Sequence, residues 1–295
     1  MKSTGVLAEL PLAFIGAGAM GEAMIRGLLV KHLVEPGAIT AADPHAERLE
    51  VIRRRFDVHA THDNLVAVRK AKVVILSVKP QVLPTVFNDL HGVIPASALI
   101  VSIVAGADIS SIASGLAHKA IVRSMPNTPA QVGEGMTVWA ATPAVREPQR
   151  RQAEAILNAL GHQLYVEDET FLDMATAISG TGPAYVFLLM EALIDAAVHL
   201  GFSRSDARRL VLQTIRGSAI FAEQSTVHPA EMRNTVTSPG GTSAEALYQL
   251  EKGGFRTVIS DAVLAAYKRS VALGNLGNRG GSRSTGKSSR SGRSE

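Results

Sequence analysis

Three glycines near the start of the chain, Gly16, Gly18 and Gly21 in "AFIGAGAMGEAM", stand at the spacing G-x-G-x-x-G between an apolar run and a helical pattern. That arrangement suits a dinucleotide. The first glycine permits a tight turn, the second lets the backbone approach a pyrophosphate, and the third allows close helix–strand packing, with a helix N-terminus facing the phosphates. Asp43 ends the next apolar run, 43 − 21 = 22 residues past Gly21. A carboxylate there accepts from the ribose hydroxyls of NAD and repels the extra phosphate of NADP. His45 and Arg48 follow closely and offset part of that repulsion, so the local residues lean to NAD(H) and leave NADPH or NADH open. A second loop, "NTVTSPGGTSAEAL" (234–247), carries no charge until Glu245 and then begins a helical pattern. Its Ser238, Gly240, Gly241, Thr242 and Ser243 make a helix start, an anion seat on the first N–H groups of that helix, or both.

Other side chains capable of chemistry read as structural. His59 and His62, the closest histidine pair, are expected on the surface, and His228 in "VHPAEM" is expected to start a short helix. Glu191 and Asp195, four apart on an apolar helix, are expected to pair with Arg208 or Arg216. Lys79 follows the strand at 73–78 of a parallel sheet, at the end where ligands bind, and reads as a cofactor contact. The chain has no cysteine, which excludes disulfides, thiolate zinc sites and a cysteine nucleophile. No catalytic triad and no metal-ligand cluster is evident, so no metal is expected.

These residues need a scaffold, and the sequence supplies an alternating one. Short apolar runs at 12–16, 39–43, 73–78, 99–104, 120–124, 136–140 and 163–166 read as strands. Helical patterns at 20–31, 45–55 and 149–160 separate them, which argues for an α/β, doubly wound (Rossmann) parallel sheet. Strands stop after about Glu167, and an all-α C-terminal dimerisation domain follows. There Pro183 suits a first helical turn, Gly201 a C-terminal cap, and Ser203 with Asp206 a capping box. Further helices are expected from about Thr242 and Arg256. The division is 1–166 for the dinucleotide-binding domain, 167–276 for the helical substrate and dimerisation domain, and 277–295 for a disordered basic tail.

Composition agrees with that division. The chain has 295 residues, 46% hydrophobic and 19% charged, as in a globular protein of one large or two ordinary domains. Its net charge of +4 resides in the tail. Arg279, Arg283, Lys287, Arg290 and Arg293 against Glu295 give +5 − 1 = +4, leaving zero for the rest. The basic balance is therefore no argument for a nucleic-acid partner. No membrane span is expected either, since the best apolar stretch, 184–200, is interrupted by Glu191 and Asp195. Together with the lack of cysteine, this suggests a cytoplasmic location.

Five stretches occurring in order carry a more specific signal: "FIGAGAMG", "SVKP" (77–80), "VRSMPNTPAQVGEG" (122–135), "ISGTGPAYVF" (178–187) and "VTSPGGTSAEALYQLEKGGFR" (236–256). Together they resemble the pyrroline-5-carboxylate reductases over roughly residues 12–273. The resemblance implies reduction of the cyclic imine 1-pyrroline-5-carboxylate to L-proline by NADPH or NADH, the last step of proline biosynthesis. It implies that Ile15, Gly16, Ala17, Gly18, Ala19, Met20 and Gly21 hold the pyrophosphate and that Asn64 contacts the adenosine side. Ser77, Val78, Lys79 and Pro80, with Ala105 and Gly106, would line the nicotinamide-ribose region, and Met125 and Asn127 would flank the nicotinamide. Ser238, Gly240, Gly241, Thr242 and Ser243 would seat the substrate carboxylate, with Ser243 as the catalytic hydroxyl. Self-association is implied as well, as an intertwined homodimer often assembled into a decamer.

The chain departs from the family pattern at two places. Ser243 stands where threonine is usual, and Asp43 where a small polar or basic residue is usual. Two rival readings fit less well. A 3-hydroxyacid dehydrogenase needs a lysine on the helix at 184–200, which has none. A dinucleotide-binding sensor needs no substrate seat.

Overall fold

The computed structural model describes residues 5–8 and 10–281. Packing divides it into two units, one running through Gly180 and resuming at Ala266, the other Thr181–Ala265.

The first unit is built on strands β1 (Leu12–Ile15), β2 (Ile39–Ala42), β3 (His59–Thr61), β4 (Val73–Leu76), β5 (Leu99–Ser102), β6 (Ile121–Met125), β7 (Gly135–Ala141) and β8 (Gly161–Tyr165). They form one sheet in the order β3-β2-β1-β4-β5-β6-β7-β8. The pairs from β3 through β6 are parallel, β7 runs antiparallel to β6, and β8 is parallel to β7. Between the strands lie α1 (Ala19–Val30), α2 (Ala46–Phe56), α3 (Asn64–Val68), α4 (Leu83–Leu90), α5 (Ile109–Leu116) and α6 (Glu147–Asn158). The runs "LAFI", "VVIL" and "LIVS" are buried at every position, as expected of strands covered on both faces. Side chains alternate between two cores. Phe14 joins Met24, Leu28, Ile39 and Trp139 on one face, while Ile15 joins Val74, Leu76 and Ile112 on the other. The seven strands read from the sequence are present. β3 was not foreseen, because it has three residues, no apolar run and an edge position beside β2.

The connection from β3 at the edge back to β4 beside β1 creates the point where neighbouring loops leave in opposite directions. Ligands bind there in open α/β sheets.

The sequence reading divides the chain at 166/167, whereas packing divides it after Gly180. A buried cation explains the difference. Arg123 on β6 pairs with Glu169 at 2.9 Å and approaches Asp173 at 4.0 Å. Glu169 also accepts from the Ile109 N–H at 3.0 Å, and Asp173 accepts from the Ser270 hydroxyl at 2.7 Å. This network ties α7 (Phe171–Ala175) and the returning chain around Ser270 to the sheet. A π-helical turn, Thr176–Gly180, follows α7 and completes the unit.

The second unit is helical, with α8 (Gly182–His199), α9 (Arg204–Glu223), α10 (Pro229–Thr235), α11 (Thr242–Lys252) and the start of α12 (Phe255–Gly281). Its punctuation follows the sequence. Pro183 lies in the first turn of α8, Gly201 adopts φ +107° after it, and the Ser203 hydroxyl accepts from the Asp206 N–H at 3.1 Å. His228 caps α10, its Nδ1 accepting from the Ala230 N–H. Asp195 pairs with Arg204 at 3.1 Å instead of the expected Arg208 or Arg216; Arg204 opens the next helix after a short turn and reaches it first. Residues 277–281, expected to begin the tail, continue α12, and the rest of the tail lies outside the described residues.

No residue of α8 is buried, and Phe187 and Leu188 are 57% and 67% exposed. The expectation that no segment could span a bilayer needs correcting, because Phe171–His199 is long and apolar enough by length and composition. The two acidic residues taken as interruptions are too few to lower its hydropathy below that of a span. Among the described residues of this unit, the buried apolar side chains are Ala207 and Val211.

Replacing Arg123 by Ala should destabilise the first unit by about 2–3 kcal/mol, read as a lower urea midpoint. This is less than the ~3–5 kcal/mol of a fully buried pair, because Glu169 and Asp173 keep 28% and 23% of their side-chain exposure. Arg123→Lys should recover part of the loss.

Candidate functional site

The three glycines of the first loop are required for different reasons. Gly16 adopts φ +95°, and a Cβ there would meet the Ser77 carbonyl oxygen at 2.7 Å. A Cβ on Gly21 would meet the Gly16 carbonyl oxygen at 2.6 Å. Both positions are dictated by the chain's own packing. Gly18 has an ordinary φ of −65°, and no protein atom lies within 4 Å of where its Cβ would be. The fold alone would tolerate alanine there. Gly18 is also the N-cap of α1 and has no side chain to offer, so the first-turn N–H groups face open space. A cradle that the fold leaves empty, at the positive end of a twelve-residue helix, fits a dinucleotide pyrophosphate.

Neighbouring side chains hold this loop in shape. The Ser77 hydroxyl, expected to touch cofactor, donates to the Gly16 carbonyl at 2.6 Å and so clamps the loop from β4. Asp43 is 9% exposed, and its Oδ2 accepts from the Ala17 N–H at 2.9 Å. The Ala17 N–H is therefore already engaged within the protein. Asp43 Oδ1 faces the His45 N–H at 3.0 Å and the His45 ring Nδ1 at 2.9 Å. Burial by itself would raise the Asp43 pKa. The backbone bonds from Ala17 and His45, then the His45 ring, outweigh it and hold the carboxyl below its ordinary value. Arg48 donates to the Ala17 carbonyl and pairs with Glu22, which also pairs with Arg55. Neither Glu22 nor Arg123 was singled out in the sequence, since a charged residue on a helix or strand reads as solvated until its partner is seen.

The remaining expected cofactor positions follow the C-terminal ends of the parallel strands. Asn64 begins α3, its amide donating to Asp89 at 3.0 Å. Lys79 is exposed after β4, and Val78 packs partly buried beneath it. Pro80, Ala105 and Gly106 line a cavity of about 370 Å³ together with Phe87 and Leu273, two apolar residues the sequence did not mark. Met125 packs on Val138 and Leu172. Asn127 turns inward, accepting from the Met136 N–H at 2.9 Å and donating to the Ser179 carbonyl at 3.0 Å. Its amide thus joins the loop after β6 to the π-helical turn.

The second loop belongs to the helical unit. Ser238–Pro239–Gly240–Gly241 forms a turn closed by the Gly241 N–H on the Ser238 carbonyl at 3.0 Å, with Gly240 at φ +69°. Proline followed by a residue at positive φ is the type II pattern. A Cβ on Gly241 would strike the Ser238 hydroxyl at 2.5 Å. Two expectations change here. The Gly241 N–H is engaged inside the turn and is not free for an anion. The helix is not capped by a Ser or Thr side chain, because its N-cap is Gly241. The N–H groups of Thr242 and Ser243 begin α11 in the open, with Ser243 half-buried. Nearby, Arg256 pairs with Glu251 at 2.8 Å and holds that carboxyl below its ordinary range. Among the described residues no three His, Cys, Asp or Glu side chains gather as metal ligands.

Comparison with known proteins gives concordant results across the chain. Residues 169–273 match the family described as pyrroline-5-carboxylate reductase dimerisation, and residues 11–106 match the one described as NADP oxidoreductase, coenzyme F420-dependent. The pyrroline-5-carboxylate reductase of Synechocystis is 42% identical over 266 residues, covering 90% of this chain and 99% of its own. That of Pseudomonas aeruginosa is 43% identical over 263 residues, covering 89% and 96%. Among solved structures, the enzyme of Coxiella burnetii superposes with a TM-score of 0.84 at 34% identity, covering 90% and 98%. The Plasmodium falciparum pyrroline carboxylate reductase with NADP bound gives 0.81 at 33% identity, covering 90% and 98%.

The contrast among the glycines can be tested directly. Gly18→Ala should leave the melting temperature within about 2 °C, as for a substitution that meets no protein atom. It should weaken nicotinamide dinucleotide binding at least about tenfold in a calorimetric titration. Gly16→Ala should lower the melting temperature instead.

Proposed function

The chain belongs to the pyrroline-5-carboxylate reductase family, and we propose from that premise how its residues divide the reaction. It is an NAD(P)H-dependent oxidoreductase that reduces the C=N bond of 1-pyrroline-5-carboxylate to give L-proline, and it self-associates through its helical region. The observation that carries the division of labour is the start of α11, where a glycine N-cap leaves helix N–H groups without a side-chain partner.

The substrate brings a carboxylate and a ring imine that, once protonated, is already a good electrophile. It needs an anion seat and orientation more than a strong acid–base pair. The N–H groups of Gly240, Thr242 and Ser243, with the hydroxyls of Ser238 and Ser243, bind the carboxylate at the positive end of α11. Ser243 also hydrogen-bonds the ring nitrogen, which fixes the imine carbon. The missing methyl relative to threonine keeps this bond and loosens the rotamer. The proton on nitrogen enters with the iminium or comes from solvent.

At the other station, residues Ile15 to Gly21 hold the pyrophosphate, with Ser77 positioning their loop rather than touching the ligand. Asp43 and Asn64 meet the adenosine side. Val78, Lys79, Pro80, Ala105 and Gly106 line the nicotinamide-ribose region, and Met125 forms the wall whose orientation Asn127 sets. A reduced nicotinamide bound there supplies the hydride, which no side chain can. The apolar cavity beside Ala105 and Gly106 keeps water from the reacting groups.

The exposed faces of α8 support a homodimer in which the seat of one protomer completes the site of the other, with decamers built from such dimers. A reductase drawing on the reduced nicotinamide pool fits a cytoplasmic setting.

Following NADPH and NADH oxidation with 1-pyrroline-5-carboxylate tests the activity, and oxidation with neither would remove it. Ser243→Ala should lower kcat/KM by roughly 10- to 100-fold, as for losing ~1.5–3 kcal/mol of transition-state hydrogen bonding. Unchanged kcat and KM in that variant would exclude Ser243 from the mechanism.

A further inference from the structure

α2 carries four arginines, Arg48, Arg53, Arg54 and Arg55, and each already has a carboxylate. Arg53 and Arg54 pair with Glu50, while Arg48 and Arg55 both pair with Glu22. The Glu50 pairs are exposed, so the argument rests on Glu22, whose side chain is only 17% exposed. Arg48 is further held by its bonds to the carbonyls of Ala17 and Gly18. The base of the same corner is Asp43, fixed by the Ala17 N–H on one oxygen and by His45 on the other.

We propose that Asp43 and Glu22 together make this chain select NADH over NADPH. The inference rests on the nicotinamide-dependent reading above and deepens it. A ribose with free hydroxyls can donate to an Asp43 carboxylate that already stands ionised and oriented. A 2′-phosphate at the same place meets that carboxylate as a like charge. Asp43 cannot rotate aside without stripping the buried Ala17 N–H of its partner, which would disturb the loop that grips the pyrophosphate. The cations that would otherwise bind the phosphate are withheld by Glu22 from the first turn of α1. His45 is exposed, but its Nδ1 faces Asp43. In effect, Glu22 cancels the offset that Arg48 and Arg55 would give, and the Asp43 repulsion stands. The Plasmodium falciparum relative is described with NADP bound, so this corner marks a difference to look for between relatives.

The test is an equilibrium fluorescence titration of the full chain with NADH and with NADPH, alongside kcat/KM for each with 1-pyrroline-5-carboxylate. The wild type should bind NADH at least about tenfold more tightly than NADPH, a modest value for one like-charge contact. Asp43→Ser should shift the ratio toward NADPH by about the same factor. Glu22→Gln, which leaves Asp43 and the Ala17 bond in place, should raise NADPH affinity several-fold through the released Arg48 and Arg55. That gain should shrink as salt rises. Equal or tighter binding of NADPH by the wild type overturns the inference, and so does an NADH preference that neither variant moves. A clear NADH preference without imine-dependent oxidation would instead refute the reductase reading and leave the selectivity standing.

Discussion

The contact between Gly16 and Ser77 determines where the first helix of this protein can begin. With Gly16 at φ +95° and the Ser77 carbonyl 2.7 Å from the place of a Cβ, the ends of β1 and β4 approach more closely than side chains would permit. The Ser77 hydroxyl closes that approach with a 2.6 Å bond to the Gly16 carbonyl. The turn between them has little freedom left. α1 must start at Ala19, its open N–H groups directed to the corner where the strand order reverses. Everything that could act on a nucleotide here follows from this: the cradle before Gly18, the place of Asp43 beneath Ala17, and the reach of Arg48 onto the loop carbonyls. A larger residue at either contact would move the helix start, and with it each of these groups.

The same physical device appears twice, on unrelated backbones. α1 and α11 both begin at a glycine N-cap, giving up roughly the few tenths of a kcal/mol by which a Ser, Thr, Asp or Asn cap exceeds glycine. Other helices of the chain keep such caps, among them Asp63 before α3, Asp108 before α5 and Ser203 before α9. α2, α4 and α7 also start without a side-chain cap, but on His45, Val82 and Thr170, whereas the N-caps of α1 and α11 are glycines within glycine-rich polar loops. At these two loops the open helix N–H groups can take an external acceptor, and both ligands expected of a reductase of this family are anions.

Most of the scaffold was legible because its signals are local. The strands are short apolar runs bounded by turn residues, and "GAGAMG" and "SPGGTS" announce helix starts by their own composition. What escaped was decided by partners distant in sequence. Arg123 reads as an interruption in a strand until Glu169 and Asp173 fold beside it, and that same pairing carries the first unit past 166. Asn127 lies in a motif rich enough to suggest ligand contact, yet its amide bridges Met136 and Ser179. The role of the Gly241 N–H was likewise hidden, since four residues cannot announce whether their turn closes. Charged pairs such as Glu22 with Arg48 and Arg55 are the least legible, because each partner alone looks like an ordinary solvated helix position.

The helical unit raises a different constraint, one of core size. Among the described residues between Thr181 and Ala265, only Ala207 and Val211 are buried apolar side chains, while Phe187, Leu188 and Phe221 stand exposed. At about 25 cal/mol per Å² of apolar surface removed from water, two small side chains cannot offset the conformational entropy of ordering such a segment. Helix propensity does not close that gap, since most helical stability in proteins comes from packing one face on something else. The self-association implied by the family match therefore has to supply this core. Folding of the helical unit and association of protomers are one equilibrium, whose position depends on protein concentration.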